Sequence, residues 1–137
     1  MMSRFNKCFL IFFAFSFTLM FALFISLIFV VSYSLDGVEY SKENFFDYHF
    51  LAPPIIKNAP YISDKASYYS QGDDNYGFTR DKVTWEEVSN ITSAKVVLED
   101  YLAEQGIQKH SVNNTGDEYL IVSYDHTLSL EIIIHSR

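Results

Sequence analysis

The sequence predicts an α+β protein: an N-terminal transmembrane helix, then a small antiparallel sheet of ββ-α-βββ order packed on one helix. Three observations carry this. Cys8 to Val31 (CFLIFFAFSFTLMFALFISLIFVV) holds no charge, no Gly and no Pro, and at about 1.5 Å per residue it spans a hydrocarbon core of about 30 Å. Ile91, Ala94, Leu98, Tyr101 and Leu102 recur at spacings of three and four, one apolar helical stripe. After Gly106 the apolar period becomes two, the signature of strands.

The reading divides the chain into a cytoplasmic N-terminus (1–7), a signal-anchor helix (8–31), a connector with a short aromatic helix and a Pro-rich linker (32–64), and an exported α+β domain (65–137). Arg4 and Lys7 precede the apolar run, and Asp36 and Glu39 follow it. Positive charge on the N-terminal flank places that end in the cytoplasm and the C-terminal domain in the periplasm or its equivalent. A cleaved signal peptide is the competing reading. It needs an apolar core of about 7–15 residues, shorter than this run, but Ser32 and Ser34 do supply small residues for a cleavage site.

All 17 acidic side chains lie beyond the run, with all of the 10 basic ones except Arg4 and Lys7. So acidic a domain argues against nucleic acid or an anionic membrane surface as partner, since phosphate binding needs clustered Lys and Arg. Cys8 is the single cysteine and opens the anchor, so the exported part must be held by an ordinary core rather than a disulfide. Palmitoylation of a juxtamembrane Cys8 is an alternative to its plainer role as a small apolar residue.

Taken in order, Asp36-Gly37 reads as a turn. Ser41 is placed to cap a short helix over 41–51 (SKENFFDYHFL), which ends at Ala52-Pro53-Pro54. Its aromatic residues suit either a collar at the membrane interface or a lid on one end of the core. Residues 52–64 carry all 3 prolines and read as extended linker. Residues 65–71 and 76–82 form a hairpin about the turn Gly72-Asp73-Asp74-Asn75. Thr84-Trp85-Glu86-Glu87 matches a capping box, giving a helix from about Trp85 to Gln105; the poor helix formers at 90–93 leave a start near Ser93 as the alternative. Gly106 is the C-cap. Strands follow at 107–112, 118–124 and 128–135. Leu120, Val122 and Tyr124 share one face of the second, and Leu128, Leu130, Ile132 and Ile134 one face of the third. The helix stripe Ile91, Leu98 and Leu102 is expected to pack on Leu120, Val122, Leu130 and Ile132.

No pattern carries catalysis, a cofactor or a metal. His49, His110, His126 and His135 lack ligand spacing and have no neighbouring cysteine. Their functional reading is pH sensing, because histidine alone titrates unperturbed near pH 6.5; the plainer reading is ordinary surface or strand-end residues. The order of Gly72-Asp73-Asp74-Asn75 is wrong for a calcium loop and right for a turn. Glu86-Glu87 and Glu99-Asp100 diverge by about 100° on a helix and cannot share a proton. Asn90-Ile91-Thr92 and Asn113-Asn114-Thr115 fit a glycosylation sequon, which matters only in a eukaryotic secretory pathway. There is no Gly-x-Ser-x-Gly elbow and no phosphate-cradling loop. The chain therefore reads as a non-enzyme.

The basic start (Arg4, Lys7), the anchor Cys8–Val31 and a cysteine-free exported domain resemble the small single-span accessory proteins of ToxR-like membrane-bound transcription regulators, of the ToxS and Psa/Myf fimbrial kinds. The resemblance covers the whole chain as architecture and carries no residue roles. It implies a periplasmic domain that binds and stabilises or tunes a partner single-span regulator, and through it gene expression, including that of fimbriae or other virulence factors. Two other functions compete. An inner-membrane-anchored immunity-type inhibitor would set an acidic domain against a basic toxin. The third is a small exported hydrolase.

Overall fold

The structure is a computed structural model and describes residues 4–72, 77–112 and 116–135. The chain forms two compact units, Met1–Tyr33 and Ser34–Arg137.

The first unit consists of helix α1 (Arg4–Leu35) up to the unit boundary. Within it Asn6–Ser32, 27 residues whose most apolar 18-residue window has a mean hydropathy of 2.6, is long and apolar enough to cross a membrane; its position near the N-terminus also fits a signal sequence. The Thr18 and Ser26 hydroxyls donate to the Ala14 and Ala22 carbonyls, each at 2.9 Å. These polar groups are thus satisfied within the helix, as an apolar surrounding requires.

The second unit is the expected α+β architecture with a larger sheet. Its elements run β1 (Val38–Tyr40), α2 (Phe45–Leu51), α3 (Pro54–Lys57), β2 (Lys65–Gln71), β3 (Phe78–Glu86), α4 (Ile91–Glu104), β4 (Gln108–Lys109), β5 (Glu118–Tyr124) and β6 (Thr127–His135). The six strands stand in the order β1-β2-β3-β6-β5-β4. Every pairing is antiparallel except β4 with β5, which makes the sheet mixed and replaces the expected three-stranded meander.

One face of the sheet is the core face. Val38 and Tyr40 of β1, Tyr68 of β2, Val83 and Trp85 of β3, Tyr119 of β5, and Leu128, Leu130 and Ile132 of β6 are buried there with Ala52, Ile56, Ala94, Leu98 and Leu102 from the helical segments. Tyr101 of α4 donates its hydroxyl to the Ile55 carbonyl at 2.8 Å and ties α4 to α3. Tyr40 stacks on Tyr68 (5.7 Å between ring centres, 16° between planes) and Tyr48 of α2 meets Tyr68 edge-on at 5.1 Å.

Several local expectations change. Residues 32–64, expected as a connector, hold β1, α2 and α3 and contribute Val38, Tyr40, Ala52 and Ile56 to the core. Three residues are too few for β1 to show a period in sequence, and Pro54 opens a helical turn because the first helical position needs no N–H donor. Ser41 is not the cap of α2. Asn44 stands at that N-cap, and its Oδ1 accepts from the Ser41 N–H at 3.0 Å and the Ser41 hydroxyl at 3.1 Å. The Thr84 capping box does not form, because β3 continues to Glu86 between β2 and β6. Helix α4 starts at Ile91 instead, and the side chain of its cap, Asn90, accepts the Ser93 N–H at 2.9 Å. The strand expected over 107–112 shrinks to β4.

On β5 the two faces are exchanged: Tyr119, paired with Ile132, and Ile121, paired with Leu130, face the core, while Val122 is 53% exposed. Residues 118–124 are apolar on both faces, so alternation alone did not decide which face was buried. The expected turn Gly72-Asp73-Asp74-Asn75 lies outside the described residues from Asp73 on, as does the sequon Asn113-Asn114-Thr115.

Candidate functional site

Alternation along the strands sends a second set of side chains to the face opposite the core. Glu39, Ser67, Tyr69, Phe78, Arg80, Lys82, Thr84, Ser129, Glu131, Ile133, Leu120, Val122 and Tyr124 are exposed or half-buried there, so this face is open to solvent. Its two halves differ. Over β1, β2, β3 and the middle of β6 it is polar: Glu39, Ser67, Tyr69, Arg80, Lys82, Thr84 and Glu131 line a depression of about 280 Å³. Arg80 Nε lies 2.9 Å from Glu131 Oε1, an ion pair whose angle falls short of a hydrogen bond. Gly37 adjoins this half; its φ of +83° favours glycine, and a Cβ there would meet the Tyr69 hydroxyl at 2.2 Å and force that side chain to shift. Over β5 the face is apolar, with Leu120, Val122 and Tyr124.

The edge beside that apolar half has no partner strand among the described residues. The His110 N–H donates to the Tyr119 carbonyl at 2.8 Å, so the backbone groups of 119, 121 and 123 point away from β6. Since β4 reaches only Tyr119, Ile121 and Ser123 present theirs to no partner strand among the described residues.

At one end of the open face sits Glu118, 4% exposed. Its carboxylate accepts from His110 Nδ1 at 2.5 Å, His135 Nε2 at 3.2 Å and the Ser111 N–H at 3.3 Å. Burial pushes this carboxyl up, but the hydrogen bonds from His135, His110 and Ser111 outweigh it and hold it below its ordinary value. Two of the four histidines singled out in the sequence are thus brought together on one buried acid. The other two are elsewhere: His49 stacks on Phe45 at 5.7 Å, and His126 is exposed, 3.8 Å from Asp125. Among the described residues no group of three His, Cys, Asp or Glu side chains is arranged to hold a metal.

A second polar cluster lies on the core face. Ser70 donates to Asp81 Oδ1 at 2.7 Å, and the Tyr40 hydroxyl lies 2.7 Å from the same Ser70 oxygen. Burial raises Asp81 to about 6 against the lowering effect of Ser70, and raises Tyr40 to about 12. A cavity of about 180 Å³ lined by Phe50, Leu51, Ser70 and Thr79 adjoins Asp81. Sequence reasoning missed Asp81 and Glu118. The signal for Asp81 was present as an acid at the parity of Val83 and Trp85; that for Glu118 was not, since it depends on two distant histidines.

No protein-family model matches the sequence, and no curated protein or solved structure is significantly similar to it.

Proposed function

We propose that this is an uncleaved single-pass inner-membrane protein, cytoplasmic at its N-terminus, whose extracytoplasmic domain binds and stabilises or tunes a single-span membrane regulator and thereby gene expression. The observation that carries the binding role is the free β5 edge beside an apolar strip. Natural sheets blunt their edges with Lys, Pro or bulges; Leu120–Tyr124 (LIVSY) has no charge and no proline. An added strand gains affinity from main-chain hydrogen bonds to Ile121 and Ser123 and specificity from the side chains Leu120, Val122 and Tyr124. An apolar N-terminal helix supports the choice of a membrane partner, because confinement to one bilayer raises effective concentration.

The test is a photoreactive residue in place of Val122, irradiated in native membranes, with the adduct identified by peptide mass spectrometry. A single-span membrane protein is expected, and Ser123→Pro should abolish the adduct. That change deletes the outward N–H at a position where an edge strand tolerates proline. A soluble toxin in the adduct would replace this reading by the inhibitor one. Adducts indifferent to Ser123→Pro would remove the edge from the binding site.

A further inference from the structure

We infer that helix α2 is a lipid-contacting element that dips its phenylalanines into the interfacial region of the bilayer to which the chain is anchored. The inference rests on the anchor reading above. Helix α2 has no buried residue, and Phe45, Phe46 and Phe50 are 67%, 74% and 74% exposed. Three neighbouring large apolar side chains at such exposure are a patch, not the scattered exposure of an ordinary surface.

The patch is preorganised. Phe46 meets Phe45 edge-on at 5.8 Å, Phe45 stacks on His49 at 5.7 Å, and Phe50 meets His49 edge-on at 5.2 Å. On the other side of the helix Tyr48 and Leu51 pack against the core and hold α2 to the domain. Lys57 adds a brace, donating to the His49 carbonyl at 2.7 Å with its charge 5.8 Å from the Tyr48 ring centre. Phe45, Phe46 and Phe50 therefore face outward from a fixed helix, already ordered before they meet a partner.

Chain length argues for lipid as the occupant. Only residues 36–44 separate the end of α1 from α2, a reach of at most about 35 Å fully extended. A patch so tethered to a bilayer-spanning helix stays near the lipid surface whatever else the domain binds. Charge argues for insertion rather than surface adsorption. Lys42 and Lys57 near the patch are balanced by Glu43 and Asp47, and the domain as a whole is acidic, so attraction to anionic headgroups is not the driving force. Aromatic side chains at headgroup depth are the chemistry that remains.

The experiment uses the full chain reconstituted in phosphatidylcholine vesicles, with and without lipid brominated near the top of its acyl chains. Phe46→Trp and Phe50→Trp place reporters on the patch, Tyr124→Trp places one on the far strand, and native Trp85 is common to all. The patch tryptophans should show blue-shifted emission and at least twofold more quenching by brominated lipid than Tyr124→Trp. Quenching no greater than that of Tyr124→Trp overturns the inference and leaves the patch to a protein partner. Carbonate extraction of the same vesicles reports the anchor separately: release of the protein would overturn the anchor reading, while quenching before extraction still decides the patch.

Discussion

Asp81 stands where its strand's alternation asks for an apolar side chain, and its chemistry follows from that position. It pairs with Ser70 on one side and Ile132 on the other, is 8% exposed, and is held by the Ser70 hydroxyl. Burial raises its pKa from 3.8 to about 6, so the folded state binds this proton more tightly than the unfolded state. The stabilising contribution is complete below the unfolded pKa and is lost as pH rises through the folded one, a difference of about 3 kcal/mol at about 1.4 kcal/mol per pH unit. Glu118 has the opposite sign. Its folded pKa is lowered, so its stabilisation is present above the ordinary carboxylate range and is lost as pH falls through the folded value. Asp81→Asn keeps an acceptor for Ser70 and removes the charge. It should raise stability at pH 7 by up to about 3 kcal/mol and change it little at pH 4. Denaturant melts of both proteins across that interval check this. An equal effect of the substitution at both pH values would mean that the Asp81 carboxylate is not desolvated as its position implies.

At the scale of elements, α4 was legible because its stripe obeys one period, and the structure buries Ala94, Leu98 and Leu102 from it. The β2–β3 hairpin and β6 were legible for the same reason: Leu128, Leu130 and Ile132 are all fully buried. Three parts of the fold were not legible: the C-terminal end of β3, strand β1 and helix α3. Thr84 and Trp85 satisfy a helix-start pattern locally, but the ladders to Ser67 and Ala66 and to Ser129 and Leu128 claim both residues for β3. Strand β1 has three residues and owes its existence to β2, far along the chain, α3 is a single turn in a proline-rich stretch, and β4 is the two residues that remain of the strand expected over 107–112. The candidate site was hidden for a related reason. An open face and a free edge belong to the sheet as assembled, not to any one strand, whereas the aromatic content of α2 could be read directly. The exchanged faces of β5 give a test. Leu98→Ala, truncating a fully buried leucine, should cost about 2–5 kcal/mol, whereas Val122→Ala should stay within about 0.5 kcal/mol. The reverse ranking in equilibrium unfolding would return Val122 to the core and take the proposed edge site with it.

For the whole molecule, the proposed function assigns anchoring to the helical unit and partner binding to the other. Helix α1 continues as helix through Ser32-Tyr33-Ser34 to Leu35, so the small residues that resemble a cleavage site sit inside its last turn rather than in an extended segment. The apolar stretch also exceeds the roughly 7–15 residues of a signal-peptide core. On the proposed anchor reading Arg4 and Lys7 give the helix its direction, because positive charge is favoured on the cytoplasmic side. A reporter enzyme that is active only outside the cytoplasm, fused after Arg137, should therefore be active and remain in the membrane fraction after carbonate washing. Reversing the flanking charge, with Arg4→Glu and Lys7→Glu, should reduce that activity by weakening the orientation signal without shortening the span. An active fusion recovered as soluble protein beginning at Leu35 would show that the helix is a cleaved signal, and the domain would then reach its partners by diffusion. An inactive, membrane-bound fusion would place the domain in the cytoplasm. Its free β5 edge would then need a partner on that side, and α2 would face the inner leaflet instead of the outer.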